Sequence, residues 1–366
     1  MKRGHSTIVL DSSNGDGCKG KLCSYIAYIK GCDLAIRAGT GTNAGHSLYY
    51  PDKDGKLTIF KTNQLPLAGI LPEKNMPMSN TILAVGSGVM FDPIKTEAEI
   101  EAYGLYGRVW VDSLCSIITD EHKKREAEGE NYSESHTGST KSGTGEARVD
   151  RVRRIGKLVK DLDMDSYRFN HCNVSKLVNT MYDAGKKIIV EGTQGHDLSL
   201  YCSNQYPVVT SDNCTTTAFA DDVGLSWNRI NDVCMCIKSA PTMVAQNCGT
   251  LKGEISREEI ERLGIVEKGV TTGRLRRKSL EIDFDLLEEA VMINQPTYFA
   301  LTFCDHVDRN INRDRLSTIE TFDDLQENGF PKTYYNILQL RNRFPNIPVK
   351  YIEFGKNFFD IIELKD

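Results

Sequence analysis

The residues best able to do chemistry sit near the N-terminus. Gly15-x4-Gly20-Lys21 fits the defined positions of a nucleotide P-loop except the last, where Leu22 replaces the Ser or Thr that usually ligates Mg2+. Asp16, inside the loop, is the obvious replacement for that hydroxyl. A second glycine-rich stretch, Arg37–Ser47, holds Asn43 and His46, offering amide and imidazole chemistry from one turn. Farther on, Thr271-Thr272-Gly273-Arg274-Leu275-Arg276-Arg277 gathers hydroxyls and guanidinium groups that can grip carboxylates bidentately.

The elements that must position these groups alternate. Ile8–Leu10 is an apolar run of strand length, and after the glycine loop Leu22–Ile29 has apolar residues at helical spacing. Strand, loop and helix N-terminus together present free backbone N–H groups and a positive dipole end to a phosphate. Further strand-like runs occur at Leu34–Ile36, Ile82–Val85, Val109–Val111, Ile188–Val190, Val233–Ile237 and Tyr298–Thr302. Helical stretches are expected around Glu97–Ala102, Arg151–Leu162, Val174–Ala184 and Arg257–Leu263. The pattern predicts an α/β fold with a mainly parallel central sheet flanked by helices, and ligands at the C-terminal strand ends. Residues 126–147 are polar and by themselves read as a solvated loop.

Composition sets the frame. The chain has 366 residues, 40% hydrophobic and 26% charged, enough for a substantial core, and is read as a single domain spanning 1–366. A formal net charge of -5 implies no general polyanion-binding surface, so no nucleic-acid partner is expected. No signal peptide is visible and no apolar run reaches the ~18 residues of a membrane span, so a cytoplasmic protein without a membrane partner is expected. The 11 cysteines contain no C-x-x-C pair and read as small buried hydrophobes. Cys18, beside lysines at a helix start, is the exception, with an expected lowered pKa.

Together, GDGCKGK (Gly15–Lys21) and TNAGHS (Thr42–Ser47) resemble the adenylosuccinate synthetase family, whose loops read approximately GDEGKGK and NAGHT. Further likenesses follow in the family's order: Gly138-Ser139-Thr140 with Arg154 behind it, Glu191–Gly195, Tyr206–Ser211, Thr271–Arg277 and Asp305. They cover nearly the whole chain, and its compact length is similar to the archaeal and phage branch.

The resemblance implies a GTP-dependent ligase that phosphorylates a purine 6-oxo group and displaces the phosphate with L-aspartate. Asp16 matches the base at purine N1, His46 the phosphoryl donor, and Gln194 a further catalytic residue. GTP would lie on Gly15, Gly17, Cys18, Lys19, Gly20 and Lys21, with Asp305 and the Gly355 backbone reading guanine. The purine monophosphate maps onto Asn43, Ala44, Thr140, Gln194, Thr210, the Val244 backbone and Arg274. Aspartate maps onto Val270, Thr271, Thr272, Arg274 and Arg276, and Mg2+ onto Asp16 and the Gly45 carbonyl. Arg154 matches a residue that crosses a dimer interface, which implies a homodimer and makes 126–147 part of an active-site wall.

The departures concentrate on the acceptor. Gly17 and Cys18 replace Glu and Gly of the family loop, Asn14 stands where Trp is usual, and Met243–Cys248 differs beside the ribose. Lys278–Asp283 lacks the usual G-W-x-D. IMP is the favoured acceptor because Asp16 is retained, where the phage enzymes acting on dGMP tend to carry Ser. GMP or dGMP is the alternative, on the argument that Gly17 opens space. A silent GTP-binding paralogue is the remaining reading, opposed by the intact Asp16, Asn43, His46, Gln194, Arg274 and Asp305.

Overall fold

A computed structural model describes residues 3–71, 80–309 and 313–365; Met1 and Lys2, read as leading into the first strand, lie outside them. All seven expected strands form within a ten-stranded sheet. From edge to edge it runs Ile361–Glu363, Val349–Glu353, Tyr298–Thr302, Asp232–Lys238, His5–Asp11, Lys187–Glu191, Leu34–Arg37, Ile82–Val85, Val109–Asp112 and Asn170–Cys172. Every neighbouring pair is parallel except the last-formed edge, where Ile361–Glu363 runs antiparallel to Val349–Glu353.

Alternation along each strand divides the core between two faces. Val9, Ala35, Ile189, Cys234, Cys236 and Ala300 join one apolar cluster, which Leu22 and Ile26 of the helix Lys19–Lys30 cover. Ile8, Leu10, Ile36, Val190, Met235 and Leu301 join the other. Cys234 and Cys236 therefore share a face, as their spacing predicts, and all eleven cysteines are free thiols.

The first strand, His5–Asp11, is central. The chain leaves it to build outward through Leu34–Arg37 to Asn170–Cys172, returns at Lys187–Glu191, and then builds the opposite half. This reversal makes a topological switch point, where the loops at the C-terminal ends part and leave a crevice.

Two expectations change. Arg151–Leu162 is not one helix: the helix is Thr144–Arg153, and only Val159–Asp161 forms a short 3-10 turn beyond it. Arg154 adopts a left-handed conformation (φ 64°), and the N–H groups of Ile155 and Gly156 both bond to the Asp150 carbonyl, closing the helix. Nor is 126–147 a solvated loop. Glu126, near the end of the helix Asp120–Glu128, is buried, and its carboxylate accepts the N–H groups of Gly143 and Gly145 at the start of the next helix. A helix N-terminus is a natural seat for a carboxylate, so a residue read as a solvated charge organises the segment.

Outside the main sheet, His46–Pro51 and Leu57–Thr62 form a hairpin. Thr242–Met243, Arg277–Ser279 and Glu254–Ile255 form a small antiparallel sheet that supports the Thr271–Arg277 segment.

Candidate active site

The loops at the switch point enclose a cavity of about 1410 Å³. Asp16–Lys21 enter it from the first strand, Asn43–Tyr49 from the second, Gln194 from the returning strand, and Phe303 and Asp305 from the strand Tyr298–Thr302. The residues 131–140, 206–211 and 266–272 close its other sides, with gaps, and Thr140, Thr210, Val244, Val270, Thr271, Thr272, Arg276 and Gly355 all line it.

Local backbone geometry explains the P-loop. Asp16 and Cys18 have positive φ (59° and 67°), an unfavourable conformation held by its surroundings. Asp11 is the brace: its Oδ1 accepts the N–H groups of Ser13 (2.8 Å) and Gly15 (3.3 Å). A Cβ at Gly17 would stand 1.8 Å from Asp11 Oδ2. The space that Gly17 was expected to open is thus filled by the Asp11 carboxylate. At Gly20 a Cβ would come 2.7 Å from His46 Cβ, so glycine lets the helix start pack directly on the imidazole.

Charged partners fix the lysines and the histidine. Lys19 Nζ donates to the Gln194 carbonyl. Lys21 is buried, with Nζ donating to Glu353 Oε1 (2.8 Å) and the Gly355 carbonyl (2.5 Å), so in this state it braces the last parallel strand. The Gly355 N–H also turns inward, to Glu353 Oε1 at 3.0 Å.

Arg37 and Glu191 close adjacent strands in register and are wholly buried. Arg37 Nη1 donates to Glu191 Oε1 at 2.7 Å, and His46 Nδ1 lies 2.6 Å from both atoms. Burial, then Arg37, holds the His46 imidazole down at about 4 against the pull of Glu191, so it is neutral at pH 7. Two states present an Nε2–H donor toward a ligand. In one the neutral ring accepts from Arg37 at Nδ1; in the other an imidazolium donates Nδ1–H to Glu191.

Asn43 Nδ2 donates to Thr210 Oγ1 at 3.2 Å, joining two of the monophosphate residues directly. Thr140 Oγ1 donates to Ser142 Oγ at 3.0 Å. Asp305 sits in the short turn Cys304–His306 that follows the strand Tyr298–Thr302. Lys268 and Leu275 bridge, placing Val270–Thr272 at the tip of a turn, where Thr271 Oγ1 accepts Asn63 Nδ2 at 2.9 Å. Arg276 Nε donates to Asp16 Oδ2, and Arg276 Nη1 is buried with no hydrogen-bond partner among the described residues. A buried, unsatisfied guanidinium nitrogen is suited to an incoming carboxylate.

Three expected residues do not line the cavity. Gly15 lies behind it against Gln194, its φ of 81° starting the loop. Arg274 is drawn aside, donating to the Gly138 carbonyl at 3.0 Å and pairing with Glu134 at 3.0 Å. Arg154 is exposed at its helix end and is not among the residues that line the cavity. Cys18 reverses its expectation: burial first, then nearby Glu353, pushes the thiol well above its ordinary value, so the adjacent lysines do not make it a thiolate.

Sequence reasoning missed Asp11, Arg37, Glu191 and a buried trio. In the last, Lys238 and Lys278 donate to Glu267 (2.8 and 2.6 Å), which lines the cavity and is held down at about 2 by the two cations despite its burial. A common signal was available: Asp11, Arg37, Glu191 and Lys238 each end a strand directly after an apolar run.

Asp16 and Gly45 both line the cavity, offering a carboxylate and a backbone carbonyl as oxygen donors. No group of three His, Cys, Asp or Glu converges to hold a metal among the described residues. That donor set fits Mg2+, which takes its remaining ligands from phosphates and water.

The adenylosuccinate synthetase family model matches the chain over residues 8–171 and 164–334. The chain belongs to the adenylosuccinate synthetase family. Adenylosuccinate synthetase of Thermococcus sibiricus is 35% identical over 365 residues, covering 99% of both chains. That of Methanocaldococcus jannaschii is 34% identical over 363 residues, covering 98% of this chain and 97% of the relative. Among solved structures, fully ligated adenylosuccinate synthetase from Plasmodium falciparum superposes with a TM-score of 0.83 at 22% identity, covering 99% and 100% of the two chains. Cyanophage S-2L succinoaminodeoxyadenylate synthetase, bound to dGMP and dATP, gives 0.76 at 21% identity, covering 100% and 97%. As a member of the adenylosuccinate synthetase family, this chain is a GTP-binding ligase that makes carbon–nitrogen bonds in purine nucleotide biosynthesis. No helix among the described residues is long and apolar enough to cross a membrane.

Proposed function

We propose that the chain joins L-aspartate to IMP, using GTP, to give adenylosuccinate, GDP and phosphate. The observation that carries this reading is convergence: Asp16, His46, the Val270–Thr272 tip and Arg276 meet in one cavity that Asp305 also lines. In the first step the Asp16 carboxylate accepts the N1 proton, and O6 attacks the γ-phosphorus as the bond to the β-phosphate oxygen breaks. His46 Nε2–H and the amide-rich start of the helix Lys19–Lys30 face the charge that gathers on the transferring group. Asp16 and the Gly45 carbonyl would hold Mg2+, which would supply neutralisation of phosphate charge. In the second step the aspartate amine attacks C6; the C6–O bond breaks, and phosphate leaves with the nitrogen's proton.

Arg276 and the Thr271 and Thr272 hydroxyls hold the aspartate carboxylates. The Asp305 carboxylate accepts N1–H and the 2-amino group of guanine, a pairing that adenine cannot offer, so GTP is preferred to ATP. Two observations support IMP over dGMP: Asp16 is retained, and the Asp11 carboxylate takes up the room at Gly17. Arg154, exposed at its helix end, acts on the partner's monophosphate in a homodimer; its place outside the lining of its own chain's cavity supports that reading.

Turnover of IMP labelled with 18O at the 6-oxo position tests the phosphoryl step. The label must appear in the released phosphate. Label lost to water, with unlabelled phosphate, rules the 6-phosphoryl route out.

A further inference from the structure

The cluster of Lys238, Glu267 and Lys278 has no part in the two chemical steps, yet it stands between two of the proposed subsites. Glu267 occupies the neck of the hairpin whose tip is Val270–Thr272. Lys268 bridges to Leu275 there, and the Arg276 N–H donates to the Glu267 carbonyl at 2.9 Å. Whatever holds Glu267 therefore fixes where the tip hydroxyls and the Arg276 guanidinium lie.

Two buried cations hold it. Lys238, at the end of a central strand, donates to both carboxylate oxygens at 2.8 and 3.0 Å and to Thr242 Oγ1 at 3.2 Å. Lys278, in the small antiparallel sheet, donates to Glu267 Oε2 at 2.6 Å. One ammonium would balance the carboxylate, and taking a second out of water is costly. The second lysine needs a further reason, and its other contact supplies one.

That contact is on the turn that carries Asp305. Lys278 Nζ donates to His306 Nδ1 at 3.2 Å, and burial, then Lys278, holds the imidazole down at about 3, so the ring is neutral and accepts. Lys238 touches the same turn, its Nζ 3.9 Å from the Phe303 ring centroid. Phe303 has a left-handed backbone (φ 57°), unfavourable for an aromatic residue, and its N–H donates to Glu353 Oε2 at 2.8 Å. The other Glu353 oxygen accepts Lys21 of the P-loop, also at 2.8 Å. Glu267, Phe303, His306 and Glu353 all line the active cavity. A continuous set of polar contacts thus joins the nucleotide loops to the neck of the hairpin.

We propose that Glu267 is a positioning residue for the aspartate hairpin, and that Lys278, by bridging it to His306, makes seating of the hairpin depend on an occupied guanine turn. This rests on the assignment of guanine to Asp305 and of aspartate to the hairpin.

Hydrogen exchange of the full chain with and without GDP and Mg2+, in the absence of aspartate, tests it. GDP should slow exchange at residues 15–21 and 303–306, and also at 266–276 by about tenfold. Lys278→Met leaves a charge-balanced pair of Lys238 and Glu267; it should keep the first protection and lose the second. The same variant should raise the aspartate KM by about tenfold while the GTP and IMP KM values stay within about twofold, a split that general loss of structure does not produce. His306→Leu severs the same link at a partly exposed position and carries the test if Lys278→Met fails to fold. Protection of 15–21 without change at 266–276 overturns the coupling and leaves the nucleotide site standing; no protection anywhere overturns both. Wild-type protection of 266–276, or an unchanged aspartate KM, in the folded variants overturns the role of Lys278.

Discussion

Arg276 Nε donates to Asp16 Oδ2, tying together two residues 260 positions apart that are assigned to different substrates. While they are paired, Arg276 is a half-occupied carboxylate fork, its Nη1 without a hydrogen-bond partner among the described residues. On the proposed assignments, an arriving aspartate carboxylate would compete for Arg276 and release Asp16 from it. Binding of the amine donor and activation of the acceptor would then be linked through one ion pair.

Separate kinetic signatures follow for the two members. Asp16→Asn should lower kcat by ~10²–10⁴-fold with the fold intact. Arg276→Leu should raise the aspartate KM by roughly one to two decades, the loss of a charge-assisted carboxylate contact, while the IMP KM moves little. Steady-state kinetics with each substrate varied in turn checks both; an unchanged aspartate KM in Arg276→Leu removes it from that subsite.

Glu191→Gln should lower stability markedly. The change leaves Arg37 wholly buried without its counter-charge, and breaking such a pair costs about 3–5 kcal/mol. Urea denaturation followed by circular dichroism measures it. A loss below about 1 kcal/mol would show that Arg37 finds another partner.

How far the sequence announces this arrangement depends on the physics behind each part. Seven of the eight internal strands were legible because buried parallel strands carry continuous apolar runs, and the motif loops because they follow those runs; Val349–Glu353, with Lys350 inside it, has no such run. The Thr144–Arg153 helix was misplaced because its start depends on Glu126 reaching across 17 positions to the Gly143 N–H, which no local periodicity records. Cys18 was misread for a related reason: the lysines beside it in sequence are turned to Gln194 and Glu353, and burial governs the thiol. Arg37 and Glu191 were visible as charges ending apolar strands. Their pairing with each other and with His46 needed the strand order.

His46 carries a pH signature of its own. Its folded pKa of about 4 lies below the unfolded value of ~6.5, so the unfolded chain binds more protons between these values. Its contribution to stability is therefore present at neutral pH and is lost as pH falls through that window. Buried Asp197 and Asp222, pushed up to about 6 and 7, titrate with the opposite sign. The difference between wild type and His46→Asn isolates the histidine. The variant should gain stability relative to wild type from pH 6.5 to 4 and hold level above 7; a pH-independent difference contradicts the neutral imidazole.

Subunit complementation tests Arg154. Arg154→Leu and Asp16→Asn chains should each be impaired, and mixing them should restore activity in heterodimers that contain one site with its own Asp16 and a borrowed Arg154. If subunits exchange and activity stays absent, Arg154 serves its own chain or none.

The central claim is tested most directly by measuring phosphate release from GTP by the purified chain with Mg2+ and L-aspartate, comparing IMP with GMP and dGMP. Turnover that requires both aspartate and IMP, with adenylosuccinate as product and kcat/KM for IMP above that for either guanine nucleotide, is the predicted result. Higher kcat/KM with dGMP, or no aspartate-dependent turnover with any acceptor, contradicts it.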